Sequence, residues 1–200
     1  MIVGIFVGGQ ARRLGGRAKG LLAHRDGETI LEHLLCEVRA AGGEPWLVGS
    51  PPKDRERLPT SDPETTPLPR AEPKIFGPGS GLPWIEDPPG HLGPLGGLEA
   101  LLHGAADRRA EHVIAFAWDM PELNRAAVMN LASLPPGPDV WAARRSPSAP
   151  WEPFAARYRV TTVGPVVDAA LREGERSFQG LFRRLSVRDA RLPVETLVDV

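Results

Sequence analysis

Short apolar runs alternate along the chain with segments in which apolar residues recur every three or four positions. The first run, IVGIFV at residues 2–7, is apolar on both faces and predicts a buried strand. A helix is predicted over residues 29–43. Thr29 and Glu32 fit a capping box there, apolar residues follow at helical spacing, and two glycines end the pattern.

The same alternation continues to the end of the chain. We predict further strands at residues 45–48, 82–86, 112–119, 139–143, 154–158 and 196–200, and further helices at residues 93–105, 124–133, 166–173 and 178–185. Residues 50–81 are rich in proline and charge and have no sustained period. This segment predicts irregular structure with one short helix near residues 53–58.

Strands that alternate with helices, and that are apolar on both faces, are typical of a mostly parallel sheet covered on two sides. The predicted fold is therefore a three-layer α/β/α sandwich with a Rossmann-like sheet, formed by a single domain over residues 1–200. In such sheets ligands bind beyond the carboxyl ends of the strands. A glycine-rich loop after Val7, Asp87 and Asp119 are all predicted to lie at those ends.

Composition narrows the classes of function. The net charge of −1 argues against a general nucleic-acid binder, and no apolar run is long enough to span a membrane. Residues 1–7 are too short for the apolar part of a signal peptide. A single cysteine, Cys36, fits a reducing cytoplasm and is expected to be a small core residue. The five histidines show no ligand spacing, so surface or core roles are expected for them.

The loop GGQARRLGGRAKGLL at residues 8–22 combines glycines with positive charge. Glycines let backbone N–H groups approach an anion, and Arg13 and Lys19 add charge for phosphates. Because Ala18 precedes Lys19 the loop is not a Walker A sequence, and it lacks a GxGxxG fingerprint. A mobile surface loop is the alternative interpretation.

The spacing GGxxxRLGGxxKGLL resembles the signature loop of nucleotidyltransferases that activate sugars and cofactors. It is most similar to the molybdenum cofactor guanylyltransferases, the MobA family. Further stretches of the sequence agree with that family in order and spacing, namely EDPPGHLGPLGGL, AWDMP, EPFAARY, GERSFQGLFRRL and LVDV. The resemblance spans nearly the whole chain.

The resemblance implies a Mg²⁺-dependent, cytoplasmic enzyme. It would transfer GMP from GTP to molybdopterin, form the guanine dinucleotide cofactor and release pyrophosphate. No covalent protein intermediate is implied, so catalysis would rest on positioning and charge neutralisation. Transient contacts with other molybdenum cofactor biosynthesis proteins or with acceptor apo-molybdoenzymes are implied as well.

The resemblance also assigns roles to residues. Arg13, Lys19 and Asp119 would be catalytic, and Asp119 and Asp199 would bind Mg²⁺, a cation that prefers carboxylate oxygens. Asp87, or the loop near it, would face the guanine base. The implied GTP contacts are Gly8, Gly9, Gly15, Lys19, Asp87, Gly93, Pro94 and Leu95.

Four departures from the family pattern leave alternatives open. Ala18 replaces an acid, Gly49 an asparagine and Trp118 a cysteine, and the sequence stops at Val200 before a second acid or amide. The alternatives are a cytidylyltransferase for the same cofactor, a guanylyltransferase for another phosphorylated small molecule, and an inactive nucleotide- or cofactor-binding module.

Overall fold

The structure, a computed structural model, describes residues 1–7, 19–49, 82–86 and 92–198. Several predicted features lie outside these residues: most of the glycine-rich loop, with Gly8, Gly9, Arg13, Gly15 and Ala18; the proline-rich segment 50–81; Asp87; and Asp199. None of the helices in the described ranges is both long and apolar enough to cross a membrane.

Seven strands form one sheet in the order β3-β2-β1-β4-β6-β5-β7. Their bounds are β1 Ile2–Phe6, β2 Glu44–Val48, β3 Trp84–Ile85, β4 His112–Ala117, β5 Val140–Ala143, β6 Glu152–Arg159 and β7 Val187–Asp189. β6 runs antiparallel to both β4 and β5, and the other pairings are parallel. The prediction of a mostly parallel sheet is confirmed.

Helices cover both faces of this sheet, and the predicted three-layer α/β/α sandwich is confirmed. Their bounds are α1 Ile30–Ala40, α2 Gly93–Asp107, α3 Arg125–Ser133, α4 Val160–Arg172 and α5 Phe178–Phe182. Side chains of α2, α4 and α5 pack in one apolar core. Those of α1 and α3 pack in a second core on the opposite face.

Local sequence explains how α1 begins and ends. The Thr29 hydroxyl accepts from the Glu32 amide at 3.2 Å, and the Glu32 carboxylate accepts from the Thr29 amide at 2.7 Å, as the capping box predicts. After the helix Gly42 has a φ of +77°, which glycine adopts at little cost. The core prediction for Cys36 is wrong, because Cys36 is exposed. It lies about 200° around the helix from the buried Leu34 and so leaves the apolar stripe.

Near the chain's end one strand prediction is wrong, and one strand was not predicted. Residues 196–200 were expected to form a strand, but Val194–Leu197 is a short 3-10 helix in which the Thr196 amide donates to the Pro193 carbonyl at 3.0 Å. A strand that sequence patterning missed, β7, pairs in parallel with β5. β7 has only three residues, and two of them, Arg188 and Asp189, are charged.

Candidate functional site

The carboxyl ends of four neighbouring strands meet at one rim of the sheet. The Val7 amide donates to the Val48 carbonyl at 2.9 Å, and the Trp118 amide donates to the Phe6 carbonyl at 3.2 Å. The Gly49 amide likewise donates to the Ile85 carbonyl at 2.9 Å. The backbone is therefore held in register one residue beyond the ends of β1, β2 and β4, where ligands bind in sheets of this kind.

A cavity of about 450 Å³ opens at this rim, within the usual size range of small-molecule sites. It lies between the ends of β1, β2 and β4, the N-terminus of α2 and the hairpin of β5 and β6. The described residues that line it include Phe6, Val48, Gly49, Gly93, Pro94, Ala117, Asp119, Met120, Arg145, Glu152, Phe154, Ala155 and Leu197.

Lys19 and Asp119 meet beside this cavity although 100 residues separate them in the sequence. The Lys19 Nζ donates to Asp119 Oδ2 at 3.0 Å, and the two side chains are 31% and 17% exposed. A 3-10 helix at Lys19–Leu21 fixes the backbone at the lysine. Asp119 follows β4 and also lines the cavity. The sequence prediction that both residues lie at one rim of the sheet is borne out by their contact.

Gly20 and Trp118, the chain neighbours of Lys19 and Asp119, pack directly against each other. Trp118 is 4% exposed, and a Cβ added to Gly20 would lie only 2.5 Å from Cε3 of the Trp118 indole ring. Trp118 is the residue that departs from the cysteine of the family pattern. A glycine at position 20, directly after Lys19, is what leaves room for the larger ring.

The other predicted contacts that the structure describes lie at the start of α2. Gly93 has a φ of +66°, and Gly93 and Pro94 line the cavity. Leu95 is fully buried in the core, so any contact it makes with a ligand would come from its backbone. Gly49 lines the cavity too, and its carbonyl accepts from Trp84 Nε1 at 2.8 Å.

Sequence reasoning missed one charged residue of the cavity and gave no role to another. Arg145 Nε donates to Glu152 Oε1 at 3.1 Å, and Arg145 Nη2 donates to the Leu197 carbonyl at 2.7 Å. Glu152 falls in a stretch that resembles the family, whereas Arg145 stands in an irregular run with no recognisable spacing. On the same hairpin Phe154 contacts Phe6, with ring centroids 4.7 Å apart.

Two of the side chains that line the cavity are carboxylates, and each is paired with a cation: Asp119 with Lys19 and Glu152 with Arg145. Carboxylate oxygen is the ligand type that Mg²⁺ prefers, and Mg²⁺ takes one or two carboxylates together with water and phosphate oxygens. Of the two predicted ligands, Asp119 stands at the cavity, while Asp199 lies outside the described residues.

Comparisons with known proteins agree with this architecture. Residues 3–188 match the model of a family described as "MobA-like NTP transferase domain". The chain is 28% identical over 201 residues to a "Probable molybdenum cofactor guanylyltransferase" of Opitutus terrae, covering 96% of this chain and 84% of that relative.

Two solved structures share the fold. Molybdopterin-guanine dinucleotide biosynthesis protein A from Archaeoglobus fulgidus gives a TM-score of 0.64 at 22% identity, covering 98% of this chain and 85% of the other. The 2-C-methyl-D-erythritol 4-phosphate cytidylyltransferase of Thermus thermophilus gives a TM-score of 0.60 at 16% identity, covering 100% and 91%.

Proposed function

Because this chain belongs to the MobA-like NTP transferase family, we propose that it transfers GMP from GTP to the terminal phosphate of molybdopterin. An oxygen of the acceptor phosphate attacks the α-phosphorus of GTP in line. The new P–O bond forms as the bond between the α-phosphorus and its bridging oxygen breaks, and pyrophosphate leaves with that oxygen. The convergence of Lys19 and Asp119 at the rim of a cavity is the observation that carries the proposal.

Charge neutralisation is the main task of the protein in this reaction, because negative charge grows on the leaving pyrophosphate. In the proposal Lys19 exchanges its contact with Asp119 for phosphate oxygens, with Arg13 beside it. The amides of Gly8, Gly9 and Gly15 hold the triphosphate, as glycine-rich loops do. An ion pair at 3.0 Å supports this exchange, since it keeps the ammonium group at the site before substrate arrives.

Mg²⁺ is the cation that we propose for this site, with Asp119 and Asp199 as its protein ligands. When bound, it would neutralise phosphate charge and orient the triphosphate. Asp119 then has two roles: it holds Lys19 in place in the free protein and offers carboxylate oxygen to the cation. We propose that Asp87 faces the guanine base and that Gly93, Pro94 and Leu95 contact the nucleotide at the start of α2.

A cytidylyltransferase is the second candidate. The fold is shared with a cytidylyltransferase, and the residue proposed to face the base, Asp87, lies outside the described part of the chain. For both candidates we propose that the reaction takes place in the cytoplasm, a reducing compartment that fits a sequence with a single cysteine.

Pyrophosphate release with GTP, Mg²⁺ and molybdopterin tests the proposal. We expect Asp119→Asn and Lys19→Met each to lower kcat by about 10²- to 10³-fold, the usual loss when one charge-stabilising group is removed. Asp168→Asn is a matched control, because it neutralises a carboxylate that contacts another basic side chain, His103, at the same 3.0 Å but at a more exposed position on α4. Equal activity of Asp119→Asn and Asp168→Asn would contradict the assigned site.

A further inference from the structure

We infer that His24, Glu28 and His33 form a second cation site, one that takes a borderline divalent metal such as Zn²⁺. One ligand atom from each of these side chains lies within 4.8 Å of the other two. All three residues are partly buried. Two imidazoles and one carboxylate are a ligand set typical of zinc, whereas Mg²⁺ prefers oxygen ligands.

The backbone brings these three residues together in a tight turn that follows Lys19. The His24 amide donates to the Glu28 carbonyl at 2.7 Å, and Ala23 and Thr29 form an antiparallel bridge around them. His24 and Glu28 therefore stand opposite each other. His33 lies in the first turn of α1, whose start is fixed by the capping box at Thr29. The cluster needs no change of backbone to form.

Hydrogen bonding at His33 indicates which ring nitrogen faces the cluster with a lone pair. Nε2 lies 2.9 Å from the Leu123 carbonyl, and a carbonyl only accepts, so Nε2 carries a hydrogen. Nδ1 lies 3.2 Å from Glu28 Oε1. When the neutral His33 ring carries its hydrogen on Nε2, Nδ1 is an acceptor, and Glu28 Oε1 is an acceptor as well. A positive species between Nδ1 and Oε1, either a proton or a metal ion, is required to hold them together.

A backbone carbonyl on the outer nitrogen is the arrangement by which metal-binding histidines are usually oriented. Distances agree as well. Two ligands about 2.0–2.1 Å from zinc at a tetrahedral angle lie about 3.4 Å apart, close to the 3.2 Å between His33 and Glu28. The His24 ring already lies beside that of His33, with centroids 4.5 Å apart, and a small side-chain rotation would bring it to the same ion.

Contacts around the cluster connect it to the two chain segments that carry Lys19 and Asp119. The turn follows Lys19 in the chain, and Leu123 follows Asp119. Arg25 also pairs with Glu122 at 3.0 Å across the same interface. A metal ion bound by His24, Glu28 and His33 would stabilise the contact between the segment after Lys19 and the segment after Asp119.

Calorimetric titration of the full chain with Zn²⁺, after removal of metals with a chelator and without nucleotide, tests this inference. We expect one Zn²⁺ site that His24→Gln and Glu28→Gln each weaken by at least the roughly 10- to 100-fold that loss of an outer partner costs. His103→Gln is the control, since His103 pairs only with Asp168 in the described part of the chain. Asp119→Asn should bind Zn²⁺ as the unmodified chain does, a result that would distinguish the zinc site from the proposed Mg²⁺ site.

Thermal unfolding gives a second readout that does not depend on catalysis. Zn²⁺ at a concentration that saturates the unmodified chain should raise the Tm of that chain and of His103→Gln, and should raise the Tm of His24→Gln less, because its weaker site is less occupied. Zn²⁺ binding by His24→Gln with undiminished affinity would overturn the inference. So would a lack of Zn²⁺ binding by the unmodified chain, because a proton then bridges His33 and Glu28.

Discussion

Gly20→Ala places a single methyl group against the indole ring of Trp118, and these two residues adjoin Lys19 and Asp119 in the chain. The added Cβ would lie 2.5 Å from Trp118 Cε3 and 2.6 Å from Cδ2. Carbon atoms in contact are normally about 3.5–4.0 Å apart, so ring and backbone must separate by about 1 Å. Trp118 is 4% exposed and has little free space to move into.

Both the stability and the activity of this variant can be estimated from that displacement. Overpacking of a buried site costs about 1–3 kcal/mol, and in a chain of this size each kcal/mol lowers the Tm by about 2–4 °C. Gly20 and Trp118 are the chain neighbours of Lys19 and Asp119, so the shift separates the ammonium group from the carboxylate. A misplacement of about 1 Å can cost about 100-fold in rate, and we expect a loss of that order in kcat/KM.

Pyrophosphate release and thermal unfolding of the same preparations provide the assay. Gly104→Ala is the matched control. Its Cβ would lie 2.9 Å from Cζ3 of another buried tryptophan, Trp46, far along α2 from the cavity. It should leave kcat/KM unchanged. In a Trp118→Cys background Gly20→Ala should cost less, by a coupling energy of about 0.5–3 kcal/mol. Full activity of Gly20→Ala, or a loss that persists unchanged in the Trp118→Cys background, would refute this reasoning.

Three further predictions concern stability. Gly42→Ala should lower the free energy of unfolding by about 1–2 kcal/mol in chemical denaturation, because Gly42 has a φ of +77°, which alanine adopts only with strain; an unchanged free energy would contradict this. Thr29→Ala should lower the Tm by about 2–4 °C through loss of a cap of about 1 kcal/mol, and Thr29→Ser should restore it; an unchanged Tm would mean that the cap contributes nothing. Burial, followed by the Arg157 guanidinium, lowers the pKa of His112, so protonation opposes folding. Stability should therefore fall as the pH drops below the usual histidine pKa of about 6.5, and His112→Gln should remove part of that fall in pH-dependent unfolding; parallel curves for the two proteins would contradict the assignment.

Much of the fold follows from patterns that the sequence displays openly. Long apolar runs such as that of β4 and the capping box of α1 predicted elements within a few residues of their bounds. Prediction was weaker where tertiary contacts override local signals. The helix that was predicted to begin at residue 166 begins at Val160. The prediction began too late because Gly164 and Pro165 resemble a helix break, although they lie inside α4. β7 forms because it pairs with β5, and the pattern of its own three residues does not predict that pairing.

The candidate site was predictable to the extent that it lies at strand ends. Lys19 and Asp119 each follow a strong strand signal at neighbouring positions of a parallel sheet, and they are in contact. Arg145 gave no signal, because it reaches the cavity from an irregular turn after β5. His24, Glu28 and His33 were overlooked for a related reason: their closeness depends on a turn that places residue 24 opposite residue 28, which ligand spacing along the sequence does not report.

Transfer of labelled phosphate from GTP tests the central claim most directly. With Mg²⁺ and molybdopterin present, label in the α-phosphate should appear in the molybdopterin product, and label in the γ-phosphate should leave entirely as pyrophosphate. Omission of GTP, Mg²⁺ or acceptor should abolish the transfer, Asp119→Asn should slow it by about 10²- to 10³-fold, and CTP should replace GTP poorly. Faster transfer from CTP would contradict the guanylyl assignment, and tight nucleotide binding without any transfer of α-label would contradict catalysis itself.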